Sequence, residues 1–589
     1  MKLILGAYSQ LPQGASDEEF EALLAHQLSP LLTTIYNNPE YKVVLKLGNN
    51  EFEWFEKHHP EINMLIHNLA NKNQVELLSS TYKDAVFSLI PTHEFAAQIE
   101  KSTTYIRKKV GKRPRGLWCP FQAFKTSLVS VMDLSALDFI MISQYSSTQN
   151  TVLYNKPFVM NELGKKTVIF PFDDRFSKEV SEAYRTKDTT ERFLNSIRKI
   201  VKNTMPSFSI IMINMNQLMY CQENAEVFNI LLKAGGKGCI LPSEYLESHQ
   251  VNIGNYFPDG IYGRDITGAP ITSLSNAILK DPYLTKTFNT VNSLRDIIKS
   301  YKKNSTARTN LDYHFIRCES AFSYIPSYRF NPYTKKYVNK NFAQIFNILF
   351  QSPSQTNPIE IYEDSSNVPS KMIVQKGFSA LLNQRGSSLS LLTVNVADVN
   401  LVMHNGPGLY SDLLRNNDTD KVMDLGNKVF ECKKSDKKTF DYVFSTIADM
   451  EDNKVYLEKH FRFRQSSFIV EYLIENTGSK KTTNLSLETL LDISMPEKPP
   501  LTYLNVDDSS LKSKQFTLTD RSVPLTVSVI NDFETEFSTK DIEHTGETYL
   551  GEKVFYQYTQ IKFKKLLKLE PGERINFSSV FRVDVSRRR

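Results

Sequence analysis

Up to about residue 250 the chain alternates short apolar runs with longer amphipathic stretches. The apolar runs predict strands at 3–8, 42–47, 75–80, 116–120, 139–143, 166–172 and 208–214, with 238–241 as a candidate eighth. Helical patterns fill the intervals. Ser16, with Glu19 three residues on, forms a capping box ahead of Phe20, Leu23, Leu24 and Leu28. In the stretch 92–110, Phe95, Ile99 and Ile106 recur at helical spacing. Strands alternating with helices predict parallel β/α units. Seven or eight such units predict a closed, TIM-like barrel, whose ligand site would lie at the carboxyl ends of its strands.

From about 275 to 350 the pattern turns mainly helical, at 290–301 and 339–350, and 351–369 is rich in Ser, Pro and Asn and reads as a linker. Beyond it apolar and polar positions alternate with period two, most clearly at 387–402, 454–463, 467–475, 484–493 and 573–585. Turns such as Asn476-Thr477-Gly478 and Glu570-Pro571-Gly572 separate these runs. The expected organisation is a barrel at 1–274, a helical subdomain with linker at 275–369 and an all-β sandwich at 370–589.

Composition narrows the function classes. A chain of 589 residues is too long for one core, and 41% apolar residues exclude a disordered chain. The net charge of +6 is spread along the length, which argues against a nucleic-acid partner, and Arg587–Arg589 read as a solvated tail. Five scattered Cys with no C-x-x-C pair argue against a disulfide framework or a zinc site. The N-terminal apolar run of 3–7 is shorter than the roughly 7 residues of a signal core, and no stretch approaches the ~20 apolar residues of a membrane span. A cytoplasmic protein without metal or cofactor is the expectation.

Several motifs carry a resemblance. Tyr8-Ser9-Gln10-Leu11-Pro12-Gln13-Gly14 stands in the frame of a first-strand motif His-Asn-His-Gln-Pro-Leu-Gly. The loop 81–91 closes on Ile90-Pro91, as does a loop that normally carries Phe-Tyr-Glu-Pro. Then follow, in order, Gly116-Leu117-Trp118, Ile169-Phe170-Pro171-Phe172-Asp173 and Ser243-Glu244-Tyr245-Leu246. Last come Arg317-Cys318-Glu319-Ser320-Ala321-Phe322, opposite Gln-Cys-Asn-Asp-Ala-Tyr, and Arg385-Gly386-Ser387 near the start of the sandwich. In this shared order the chain resembles glycoside hydrolase family 57, of the 4-α-glucanotransferase and α-amylase type. The resemblance implies a (β/α)7 barrel, a helical subdomain and a C-terminal β-sandwich.

It also implies two catalytic carboxyl groups, since a retaining glycosidase needs a nucleophile and a proton donor about 5–5.5 Å apart. The family nucleophile is a Glu three residues after the fourth-strand Trp. After Trp118 this chain has Cys119, Pro120 and Phe121, with Gln122 next. The family acid/base is an Asp in His-Asp-Asp-Gly-Glu, and the corresponding stretch here is Met212-Ile213-Asn214-Met215-Asn216, with Asn214 at or near the Asp position. A phenyl ring cannot form a glycosyl-enzyme intermediate, and an amide cannot donate a proton as a carboxylic acid does. The two motif histidines are Tyr8 and Gln10.

The expectation is therefore a catalytically inactive relative that binds carbohydrate or serves as a scaffold. Tyr8, Gln10, Asp84, Trp118, Phe121, Asp173 and Asn214 are the candidate sugar contacts, with an α-glucan or other carbohydrate as ligand and a homo-oligomer or protein as partner. The alternative is an active transferase or hydrolase using relocated acids, for which Asp84, Asp173 and Asp174 are best placed. Against that, Asp84 reads as a solvated turn residue and Asp173-Asp174-Arg175 as an ion-paired loop. Tyr8, Trp118, Phe121, Phe124 and Tyr145 form either an aromatic stacking cleft or a mouth filled by those rings. Cys119 reads as a packed thiol, and His58-His59 as a surface pair rather than metal ligands.

Overall fold

The computed structural model describes residues 2–146, 156–173, 175–204, 208–218, 221–251, 253–261, 269–328, 331–351, 360–363, 368–375, 377–402, 408–436, 439–450, 453–496, 512–520, 522–548 and 551–585. Asp174, the Arg587–Arg589 tail and most of the 351–369 stretch lie outside them. The chain divides into two compact units: Met1–Asp281 with Glu319–Arg329 and Glu547–Glu552, and Pro282–Cys318 with Phe330–Gly546 and Lys553–Arg589.

The first unit is a seven-stranded parallel barrel. Its strands are β1 (Lys2–Tyr8), β2 (Val43–Lys46), β3 (Val75–Ser79), β4 (Gly116–Trp118), β5 (Phe139–Ser143), β7 (Lys165–Phe172) and β8 (Phe208–Asn214), while β6 (Phe158–Glu162) is an antiparallel hairpin partner of β7. The pairing runs β7-β5-β4-β3-β2-β1-β8. Asp173 closes the ring: its N–H donates to Ile210 O at 2.9 Å and its carbonyl accepts from Met212 N–H at 3.4 Å. The candidate strand at 238–241 does not form. Cys239 makes a single bridge to Leu3 where Gly236–Gly238 is a 3₁₀ turn, because two glycines there leave no pleated run to extend.

Both faces of the barrel wall are buried, which is why its strands read as apolar runs instead of alternating ones. Leu3, Leu5 and Ala7 of β1 pack outward on the helices, in a core with Leu28, Leu32, Phe52 and Leu231. Ile4, Val44, Leu78, Trp118, Met141, Phe170 and Met212 fill the interior. Gly6 permits this filling, since a Cβ there would meet Met212 Sδ at 2.1 Å. The predicted capping box forms at Ser16–Glu19, and the helix Thr92–Val110 has the predicted ends. Helix Pro242–Ser248 plugs the amino end of the barrel, with the Tyr245 ring 6.0 Å from Phe170 and 5.3 Å from Phe208. The sequence motif 243–246 is thus a seal.

In the second unit, helices Pro282–Lys299, Thr306–Cys318 and Pro332–Gln351 accompany a β-sandwich. Glu360–Tyr362, inside the stretch read as linker, forms a strand on Pro369–Val374. Alternating strands form as expected at Asn453–Phe463 and Ser467–Asn476, whose alternate residues enter one core with Phe444, Leu491, Phe563 and Phe581, whereas the 387–402 run splits into Ser388–Val394, buried at every position, and the short Val399–Asn400. Among the described residues no helix is long and apolar enough to cross a membrane.

Candidate functional site

Parallel β/α strands deliver their last residues to one mouth of the barrel. Register places Tyr8 level with both Lys46 and Asn214. Asp84 follows β3, Phe121 follows β4 and Asp173 follows β7. The loops after β1 and β8 are laced together. Met215 N–H donates to Tyr8 O at 3.0 Å, and Gln10 N–H donates to Asn216 Oδ1 at 3.0 Å. Asn214 is spent on its own turn: its Oδ1 accepts from Asn216 N–H at 3.1 Å, and its N–H donates to Ser177 Oγ at 2.7 Å.

The interior end of the mouth is aromatic. Trp118 stacks on Phe172 with centroids 5.3 Å apart, and Tyr8 lies on Trp118 at 4.4 Å. Trp118 is only 1% exposed and Phe172 is fully buried. Trp118 therefore offers no open face to a sugar ring, a correction to its candidacy as a contact. The other rings expected beside it lie elsewhere. Phe121 is half-buried at φ 53°, edge-on to Phe322 at 4.9 Å and 5.8 Å from Tyr328. Phe124 is core, edge-on to Phe257 at 5.3 Å. Tyr145 carries the Arg175 guanidinium over its face at 5.1 Å. The five rings do not form a single cleft: Tyr8 and Trp118 stay together, while Phe121, Phe124 and Tyr145 each pack against a different, sequence-distant partner.

The acids at this end are engaged as well. Asp173 accepts from Arg175 through both oxygens, the shortest contact being 2.6 Å. Asp84 is 2% exposed, which corrects its reading as a solvated turn residue. Its carboxylate accepts from Lys46 Nζ at 3.3 Å and Ser80 Oγ at 3.2 Å, and its carbonyl takes the Ala321 N–H at 3.1 Å. Lys46, also fully buried, donates to Ser9 O at 3.1 Å.

A second buried carboxylate, Glu51, joins this cluster and was not among the sequence candidates. It accepts from Ser9 Oγ at 3.0 Å and Leu11 N–H at 3.2 Å. A Cβ on Gly48 would lie 2.2 Å from Glu51 Oε2 and 3.3 Å from Asp84 Oδ2, so both carboxylates crowd the same point and only Gly fits there. Burial pushes the Glu51 carboxyl above its ordinary value and neighbouring Asp84 adds to this, while Lys46 and the Leu11 N–H oppose it. The signal in the sequence was a Lys closing an apolar strand run, with Gly48 and Glu51 just behind it.

Cys119 is buried, and burial pushes its thiol up to about 12, which leaves almost no thiolate at neutral pH. His58 stacks on Trp54 at 4.7 Å, while His59 bridges Glu21 at 3.0 Å and Glu61 at 3.1 Å. Among the described residues no three His, Cys, Asp or Glu side chains form a metal-binding group.

Residues 6–251 match the sequence model of Glycosyl hydrolase family 57. Over 200 residues the chain is 24% identical to an α-amylase of Pyrococcus horikoshii and 22% identical to a 4-α-glucanotransferase of Thermococcus kodakarensis. Each match covers 33% of this chain and spans 31% and 30% of those relatives' lengths. Over 171 residues it is 23% identical to α-amylase 1 of Dictyoglomus thermophilum, covering 28% of this chain and 25% of that protein. The crystal structure of a 4-α-glucanotransferase from Thermococcus litoralis superposes with a TM-score of 0.80 at 15% identity, covering 99% of both chains, and so shares the whole fold.

Proposed function

From the premise that this barrel belongs to glycoside hydrolase family 57, we propose that the protein is a non-catalytic relative of the 4-α-glucanotransferases. It keeps their architecture and serves as a carbohydrate-binding or assembly protein. The observation that carries the reading is the state of the mouth. Phe121 and Asn214 hold the two positions where the resemblance calls for carboxyl groups. Phe121 is packed on Phe322 and Asn214 is tied into its own turn. The acids nearby cannot take their place as they stand, since Asp173 is clamped by Arg175 and Asp84 is buried against Lys46.

The test is incubation of the purified protein with maltooligosaccharides of several lengths, followed over many hours. No change in chain-length distribution is expected, and steady disproportionation or hydrolysis would sink the reading. One observation favours an active alternative. Glu51 and Asp84 are neighbouring buried carboxylates at this end of the barrel, and burial raises the Glu51 carboxyl above its ordinary value. If product does form, its loss in both Glu51→Gln and Asp84→Asn assigns the chemistry to that pair. Assembly is separated from monomeric sugar binding by a mass measurement in solution.

A further inference from the structure

Three oxygens converge on the space beside Gly48. Measured from the point a Cβ would occupy on that glycine, Glu51 Oε2 lies at 2.2 Å, Asn50 Oδ1 at 2.4 Å and Asp84 Oδ2 at 3.3 Å. Glu51 is fully buried, and Asn50 and Asp84 are 9% and 2% exposed. Among the described residues, neither Glu51 Oε2 nor Asn50 Oδ1 has a hydrogen-bond partner. Rotating the amide does not cure this, because Asn50 Nδ2 already donates to Leu11 O at 3.0 Å and keeps Oδ1 turned to the acids. The remaining carboxylate oxygens are in use. Glu51 Oε1 accepts from Ser9 Oγ and the Leu11 N–H, and Asp84 Oδ1 accepts from Lys46 Nζ and Ser80 Oγ. Those bonds fix the three inward-turned oxygens where they are.

Acceptors that face one another with no hydrogen between them are costly when buried. The charges point the same way. Two carboxylates meet one ammonium, that of Lys46, and the partial positive charge at the start of the helix Asn49–His58. Less than one further unit of positive charge is needed to balance the cluster.

We propose that the three oxygens hold a monovalent cation of sodium's kind, whose remaining ligands are water molecules. An all-oxygen set selects a hard ion. A divalent ion would leave the buried cluster with excess positive charge, and magnesium in addition demands near-octahedral ligands at about 2.0–2.1 Å. The ion joins the loop after β2 to the loop after β3 and braces the carboxyl end of the barrel wall. The site is independent of whether the barrel is catalytic.

The experiment is thermal unfolding of the intact protein in tetramethylammonium chloride, whose cation is too large for the site, with sodium chloride exchanged in at constant ionic strength. Sodium should raise the melting temperature saturably, by about 2–4 °C between millimolar and several hundred millimolar concentrations. The protein should also broaden the sodium NMR resonance. Glu51→Gln should abolish both effects, since its amide can satisfy Asn50 Oδ1 directly and removes the charge that attracts the ion. If that variant does not fold, Asn50→Ala decides, with at least a tenfold weaker sodium response. Glu61→Gln, on an exposed side chain, should respond to sodium as the parent does. A proton on Glu51 competes with the ion, so the sodium effect should be smaller at pH 5 than at pH 8. Identical melting curves in sodium and tetramethylammonium overturn the proposal, leaving a water or that proton to satisfy the oxygens. A sodium response that persists in the folded variants overturns it by placing the ion elsewhere. A response to calcium without one to sodium overturns the choice of a monovalent ion.

Discussion

Lys46, Asp84 and Glu51 bring three ionisable side chains into one buried cluster, with a single formal cation among them. Removing that cation strands both carboxylates, and breaking a buried pair in this way costs about 3–5 kcal/mol. Lys46→Met should therefore lower unfolding free energy by about that amount in urea titration, and adding Asp84→Asn should recover part of the loss. Full additivity of the two substitutions would show that the ion pair contributes nothing of its own. The same residues mark the limit of reading a sequence residue by residue. Asp84 was picked out because it follows a strand, yet nothing local announced that its carboxylate faces inward. That direction depends on a left-handed φ of 53° and on Lys46, which is 38 positions away.

At the scale of elements, the amino end of the barrel is closed by a helix. Glu76 of β3 accepts from Ser243 N–H at 3.1 Å and Ser243 Oγ at 2.9 Å, fastening the plugging helix to the wall. Burial outweighs those bonds and raises the Glu76 carboxyl from 4.5 to about 7. The folded state therefore prefers the protonated form. The favourable contribution is complete below about pH 4.5 and disappears as pH rises through about 7. Glu76→Gln should flatten this part of the pH–stability profile, seen as a smaller change in melting temperature between pH 5 and 8. An unaltered profile would place the titration elsewhere. The motif at 243–246 was legible as a family feature, whereas its structural use became visible only once Tyr245 was seen under Phe170 and Phe208. In the sandwich an analogous buried pair, Lys459–Asp412 at 2.5 Å, is satisfied by the carbonyls of Gly386, Ser387 and Tyr410.

For the whole molecule, the shared fold allows a direct trial of whether catalysis was lost through two residues or through the entire mouth. Phe121→Glu combined with Asn214→Asp restores the missing carboxyl groups on a backbone of the same architecture. Little or no turnover of maltooligosaccharides is expected, because correct placement of reacting groups can be worth several orders of magnitude. The stack of Tyr8, Trp118 and Phe172 and the Phe121–Phe322–Tyr328 cluster are aromatic surroundings unsuited to positioning a carboxylate pair. Robust turnover would mean that the positioning groups survive. The division between what was legible and what was not follows from the range of the forces involved. Hydrophobic period, capping and turn chemistry act over a few residues, so the barrel strands, the Ser16–Glu19 cap and the sandwich alternation could be read directly from the chain. The motif order likewise exposed Phe121 and Asn214 where acids were expected. Which rings meet and which carboxylates are buried depend on side chains brought together from distant segments. Only tertiary packing could turn five aromatic residues near strand ends into four separate settings.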